Sequence, residues 1–232
     1  MSFDQIELSL SNLKENVHKA CIESGRDPSG VNILAVSKGQ SIDAIKEAYR
    51  VGHHNFGENY LQEAKKKIDR VSIANWHFIG AIQSNKTKEI AKNFDWVHSV
   101  DSEKLARRLS EHRDPKNGKL KIFIQVNTSE EKQKRGVHPN EVYALAEKIS
   151  SFSNISLVGL MTISAQNQDE SSATRCFQNL RKISEQLSSH LGLREGLQLS
   201  MGMSNDYVSA IKEGSTWVRL GTLIFGDRDR HL

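Results

Sequence analysis

Two cysteines and three prolines in 232 residues set the first limits on this chain. Cys21 and Cys176 lie far apart without metal-ligand spacing, which excludes a disulfide framework and a zinc site and predicts two reduced thiols. No Pro-rich or Gly/Ser-rich stretch marks a linker, and no low-complexity block interrupts a composition of 37% hydrophobic and 26% charged residues. The chain reads as a single domain over 1–232, long enough to bury a sizeable core. No apolar run approaches the length of a membrane span, and Met1 to Leu10 carries acidic residues where a signal peptide needs an apolar stretch. Both absences predict a cytoplasmic protein without a membrane partner. Charge of one sign is also scarce: 32 basic against 28 acidic residues leave a net charge of +4. The densest basic clusters are Lys65, Lys66 and Lys67, then Lys132, Lys134 and Arg135, and neither is interleaved with base-stacking aromatics. Solvated helix faces or an anion-facing loop explain them better than a nucleic-acid interface, and no nucleic acid is expected as a partner.

What is present begins with Val31 to Gln40, a short apolar, β-branched run between Gly30 and Gly39 that ends in Lys38. Such a run predicts a fully buried strand of a parallel sheet, with Lys38 leaving the core at the strand's C-terminal end. A lysine there fits two roles: it snorkels at the sheet rim, or it reaches into a site and bonds to an aldehyde after shedding its proton.

The rest of the chain repeats that unit. Phe3, Ile6, Leu10, Leu13, Val17 and Cys21 recur at helical spacing and predict an amphipathic helix ahead of the first strand, packed on the outside of the later elements. Further strands are predicted over 53–57, 75–80, 95–100, 120–127, 156–163, 197–201 and 216–225, separated by helical stretches. With 31–36 these make eight strand–helix units without a hairpin signal. The prediction is α/β, a single (β/α)8 TIM-type barrel with an extra N-terminal helix; a doubly wound open sheet is the alternative. In either fold, chemistry collects at the C-terminal strand ends.

Polar residues do fall there. Strand two runs into Glu58 and Asn59, and strand three carries His77. Asn59 also fits a helix cap and His77 a hydrogen-bonded core histidine, while His53 and His54 read as surface residues. The histidines lack ligand spacing, so no metal is expected. Strand seven ends in Ser200-Met201-Gly202-Met203-Ser204, and strand eight carries Arg219-Leu220-Gly221-Thr222. Small residues with free backbone N–H groups after strands seven and eight form a natural phosphate cradle, although Gly202 and Gly221 also fit simple turns and Ser204 a helix cap. Lysine, phosphate cradle and arginine together point to pyridoxal 5′-phosphate.

At these residues the sequence resembles the pyridoxal phosphate homeostasis protein family, which is related to the N-terminal barrel of alanine racemase. The matching segments are Ala35-Val36-Ser37-Lys38, Phe56-Gly57-Glu58-Asn59-Tyr60 with Gln62-Glu63, and Trp76-His77-Phe78-Ile79-Gly80 with Gln83, Asn85 and Lys86. Gly159-Leu160-Met161, Leu199 to Ser204 with Asp206, and Arg219-Leu220-Gly221-Thr222 with Phe225-Gly226 complete them in order. The resemblance implies a Schiff base between the cofactor and Lys38, phosphate binding by Ser200, Gly221 and Thr222, and Arg219 facing the pyridine nitrogen. It places Asn59, His77 and Met161 along the ring. After Lys38 the family usually has Thr-Lys-Pro, and this chain has Gly39-Gln40-Ser41.

The resemblance further implies a monomer that holds pyridoxal phosphate, supports intracellular vitamin B6 homeostasis and amino-acid/keto-acid balance, and hands the cofactor to PLP-dependent apoenzymes. Arginine at the ring nitrogen leaves the ring a poor electron sink. The tyrosine acid–base group that alanine racemase takes from a second domain has no matching motif here, so no enzymatic turnover is expected. The alternatives are a PLP-dependent amino-acid racemase or lyase with Lys38 as its single base, and an RNA-binding barrel using Lys132, Lys134 and Arg135.

Overall fold

The computed structural model describes residues 3–129, 135–164 and 169–226. Eight parallel strands run in chain order around a closed barrel: β1 (Asn32–Val36), β2 (Asn55–Glu58), β3 (Asn75–Phe78), β4 (Trp96–Val100), β5 (Leu120–Gln125), β6 (Ile155–Met161), β7 (Gln198–Ser200) and β8 (Trp217–Leu220). β8 pairs with β1, Leu34 opposite Arg219, which closes the ring and removes the doubly wound alternative. Lys132 and Lys134 lie outside the described residues; Arg135 is exposed.

Apolar runs cover both faces of these strands because both faces are buried. Ile33, Ala35, Phe56, Trp76, Phe78, Ile122, Ile124, Val218 and Leu220 join the outer core beneath the helices. Leu34, Phe123, Met161 and Trp217 form a separate cluster with Ile79, Trp96 and Val158. The period-two alternation along β1, β5 and β8 assigns this second cluster to the barrel lumen. The lumen is filled with side chains, so ligand chemistry is confined to the mouth.

The helices are α1 (Phe3–Glu23), α2 (Ile42–Arg50), α3 (Leu61–Ile68), α4 (Thr87–Asn93), α5 (Glu103–His112), α6 (Val142–Ser150), α7 (Glu170–His190), α8 (Tyr207–Lys212) and α9 (Thr222–Phe225). Ser41, Ser102 and Asp169 start α2, α5 and α7 by accepting a first-turn amide on their side chains. As its stripe predicts, α1 buries Ile6, Leu10, Leu13 and Val17. It packs against α2, α8 and α9, over the seam between β8 and β1.

Three expectations are corrected. The eighth strand stops at Leu220 rather than Phe225, because Gly221 turns the chain and Thr222–Phe225 winds into α9. Lys67 is not on a solvated face: it is 3% exposed, whereas its neighbour Lys65 stays outside in an exposed pair with Glu89. His53 is buried, with Nε2 2.9 Å from the Asn55 carbonyl, and burial lowers its pKa to about 4.

Candidate functional site

β1 ends at Val36, two residues before the lysine. The Ser37 N–H still donates to the Gly57 carbonyl at 3.0 Å; then Ser37-Lys38-Gly39-Gln40 forms a turn closed by Gln40 N–H on Ser37 O at 3.0 Å. Gly39 takes φ 72°, the left-handed region that a β-branched residue avoids. Glycine in place of the threonine usual in the resembling family therefore sets the shape of this turn. Lys38 stands half-buried at its first corner.

Arg219 enters from β8, the neighbouring strand. It is 6% exposed, and Nη1 donates to Ser200 Oγ at 2.9 Å while Nη2 donates to the Thr162 carbonyl at 2.9 Å. Burial lowers its pKa to about 10, with Asp206 pulling the other way, so it is a cation at neutral pH. Beyond Ser200 a chain of polar groups descends into the lumen. Ser200 Oγ lies 2.8 Å from His98 Nδ1, and His98 Nε2 lies 3.0 Å from His77 Nδ1.

The protons in this chain follow from counting partners. Arginine only donates, so the Ser200 hydroxyl turns its hydrogen to His98 Nδ1. His98 is then protonated on Nε2 and donates to His77 Nδ1, and His77 Nε2, at the end of this chain of groups, finds no partner among the described residues. The reverse direction leaves the serine hydrogen orphaned as well. Burial holds the pKa of both histidines well below the usual range, the more so because Lys121 faces His77 and His77 faces His98. His77 is fully buried, its ring centroid 5.1 Å from Trp96 and 4.8 Å from Trp217.

The predicted residues thus divide by depth. Lys38, Asn59, Gly221 and Thr222 follow the C-terminal ends of β1, β2 and β8, three strands in a row around the barrel. Asn59 does not cap α3, whose first cap position is Tyr60; its half-buried side chain leaves Oδ1 without a partner among the described residues. Gly221 abuts β1: a Cβ there would lie 3.1 Å from the Val36 carbonyl oxygen. Ser200 ends β7, but its hydroxyl is engaged by Arg219 and His98. Met161 ends β6 and packs in the lumen cluster, and His77 lies below the mouth.

The mouth beside Gly221 is built by the loop after β7. Gly202 takes φ 95°, and a Cβ there would lie 2.6 Å from the Ala210 Cβ, so only glycine lets the chain pass this close to α8. The Asp206 carboxylate accepts the Met203 N–H and the Ser164 hydroxyl, which fixes the loop. Ser204 does not cap α8; its hydroxyl lies 3.0 Å from that of Thr222, which is exposed, beside the first-turn amides of α9. Sequence reading missed His98, although its two-residue spacing from Trp96 in an apolar strand is the signal of a lumen-facing polar group.

No group of three or more His, Cys, Asp or Glu placed to hold a metal ion occurs among the described residues. No helix among them is long and apolar enough to cross a membrane.

Comparison with known proteins adds a family to this geometry. Residues 8–229 match the model of the alanine racemase N-terminal domain. The chain is 42% identical over 228 residues to the pyridoxal phosphate homeostasis protein of Pasteurella multocida, covering 97% of this chain and 98% of that one. It is 45% identical over 223 residues to the protein of the same name from Pseudomonas aeruginosa, covering 95% of each. Among solved structures, PipY of Synechococcus elongatus with PLP bound superposes with a TM-score of 0.83 at 34% identity, covering 96% of this chain and 100% of PipY. An alanine racemase of Clostridium difficile shares the fold, with a TM-score of 0.75 at 15% identity over 98% of this chain and 58% of that one. A lysine turn, a buried arginine and a small-residue loop at one barrel mouth, in a chain matched over nearly its whole length, place this protein in the pyridoxal phosphate homeostasis family, within the alanine racemase N-terminal-domain group.

Proposed function

We propose that the protein binds pyridoxal 5′-phosphate at this mouth and serves the cell's balance of vitamin B6 forms, without turning over a substrate of its own. The observation that carries the reading is the pairing of β1 with β8: Leu34 opposite Arg219 brings the lysine turn and a buried guanidinium to one mouth, with Gly221 against Val36 between them. The residues present fit the cofactor. Lys38 offers the amine for its aldehyde carbon. Ser204, Gly221, Thr222 and the first-turn amides of α9 form a cradle of small donors for its phosphate. Arg219 uses two of its five N–H hydrogens on Ser200 and Thr162 and would offer others to the ring nitrogen. Asn59 Oδ1 is a buried acceptor awaiting a donor. Met161 would close the lumen beneath the ring, while Ser200 and His77, which the resemblance assigns to the phosphate and the ring, would act here through Arg219.

Bound pyridoxal phosphate would supply an electron sink, a strong one when its ring nitrogen is protonated and a poorer one when it is not. A guanidinium that is itself charged does not give up that proton, so Arg219 would leave the nitrogen an acceptor and restrain carbanion chemistry. The protein's own work is to hold the aldehyde, shield it and release it to apoenzymes that need it. PipY, similar over its whole length and solved with PLP bound, supports the reading, as do the names of the curated relatives.

The test is the visible spectrum of the purified protein with added pyridoxal phosphate, before and after borohydride, beside Lys38→Ala. A band that borohydride abolishes in the wild type and that the variant lacks is expected; its absence from the wild type removes the reading. Solvent deuterium entering the α-carbon of alanine or serine, lost in Lys38→Ala, would instead favour a racemase or lyase.

A further inference from the structure

The turn that carries Lys38 is gripped from beneath by three charged side chains that the cofactor reading does not use. Lys67 Nζ donates to the Ser37 carbonyl at 2.6 Å, to Glu58 Oε1 at 2.8 Å and to Glu63 Oε1 at 2.6 Å, which spends all three of its hydrogens. The Ser37 hydroxyl donates to Glu58 Oε1 at 2.6 Å, and the Gly39 N–H donates to Glu63 Oε1 at 2.6 Å. Ser37 O and Gly39 N belong to the two peptide groups that flank the Lys38 Cα. Holding both planes fixes φ and ψ of Lys38, and with them the direction in which its side chain leaves the backbone.

This arrangement is costly to build for packing alone. The Lys67 and Glu58 side chains are 4% and 0% exposed, and burying an ion pair stabilises a fold no better than apolar side chains of the same volume. Burial also pushes the Glu58 carboxyl up, against the pull of Lys67, and its second oxygen has no partner among the described residues. What an apolar replacement would not supply is a charged second donor for Ser37 O, beside the Gln40 N–H, and an acceptor for Gly39 N–H.

We infer that Glu58, Lys67 and Glu63 form a clamp that presets the backbone on both sides of Lys38, so that its amine is presented to the cofactor aldehyde in a single direction. They are positioning residues and touch no ligand; the inference rests on the reading of Lys38 as the cofactor lysine.

Glu63 is the accessible member, 29% exposed, and its removal leaves Lys67 paired with Glu58, so the variant folds. The experiment titrates wild type, Glu63→Ala, Glu63→Gln and Lys38→Ala with pyridoxal 5′-phosphate and, separately, with pyridoxamine 5′-phosphate. The second ligand has the same phosphate and ring but an amine in place of the aldehyde, so it senses the site without Lys38. Glu63→Ala is expected to weaken the aldehyde ligand about tenfold, the value of one lost charge-assisted hydrogen bond, and to leave the amine ligand within about twofold. Glu63→Gln keeps an acceptor for Gly39 N–H and recovers most of the loss. In the ligand-free protein, hydrogen exchange at the Gly39 amide speeds up in Glu63→Ala. Unchanged aldehyde affinity and Gly39 exchange in Glu63→Ala overturn the clamp, and so does an equal loss for both ligands. A wild type without a Lys38-dependent, borohydride-sensitive band overturns the reading of Lys38, and the purpose of the clamp with it, whatever Glu63 does.

Discussion

Arg219 and Lys67 are both buried cations near the lysine turn, and their surroundings are opposite. Arg219 leans on neutral partners, the Ser200 hydroxyl and the Thr162 carbonyl, and through Ser200 on two neutral histidines. Lys67 sits between two carboxylates. One charge feels the field of Asp206 but is bonded to no carboxylate among the described residues. The other is consumed inside the protein to hold a piece of backbone still. A buried charge therefore reads as binding or as architecture according to what surrounds it.

Acid should break the arginine's side of this comparison most strongly. Below about pH 6.5 the unfolded chain protonates its histidines, while the folded lumen keeps His77 and His98 neutral; each withheld proton removes about 1.4 kcal/mol of stability per pH unit. His53, with its pKa lowered to about 4, adds a third proton over the same window. Glu58 works in reverse: its raised pKa favours the folded state as the pH falls. Guanidinium unfolding at pH 7, 6 and 5 should show a steep net loss, and a flat profile would mean the lumen histidines are not held neutral.

On the side of the clamp, Lys67→Met leaves Glu58 buried without its cation and should cost roughly 3–5 kcal/mol in denaturant unfolding. A smaller loss would show that water or a protonated Glu58 takes the lysine's place. At the mouth, Gly202→Ala forces an L-residue to φ 95° against Ala210, while its carbonyl must still accept the Arg219 N–H. A cost of about 2–4 kcal/mol is expected, with weaker cofactor binding, readable by thermal unfolding and titration. The smallest effect sharpens the contrast. Lys65→Ala, two positions from Lys67, removes only an exposed pair with Glu89 and should change stability by less than about 0.5 kcal/mol.

The barrel was readable because each strand is an apolar run followed by a helical stripe, and because chemistry in such folds gathers at strand ends. Lys38, Asn59, Gly221 and Thr222 could be located that way. Inside and outside of the barrel could not be separated, since both faces of a strand such as Ile33-Leu34-Ala35 are apolar. That ambiguity hid His98, which looks like a stray polar residue until β7 brings Ser200 against it. Lys67 was hidden by its neighbours: three consecutive lysines resemble a solvated face, yet the helix turns Ala64 and Lys67 inward together. Glu63 and Lys67, four apart, were the available signal. The helical Thr222–Phe225 was misread because its residues are apolar, and only Gly221 interrupts them.

The placement of α1 ties the start of the barrel to the helices on either side of β8. Its buried stripe of Ile6, Leu10, Leu13 and Val17 rests on α2, α8 and α9, and Arg26 just beyond it donates to the Ile211 carbonyl. During synthesis that stripe emerges before β1, and the helices that complete its cover emerge only after β7. The barrel cannot seal until the ribosome has delivered β8, so a half-made chain carries an uncovered apolar helix, the kind of surface that chaperones hold and that aggregation exploits.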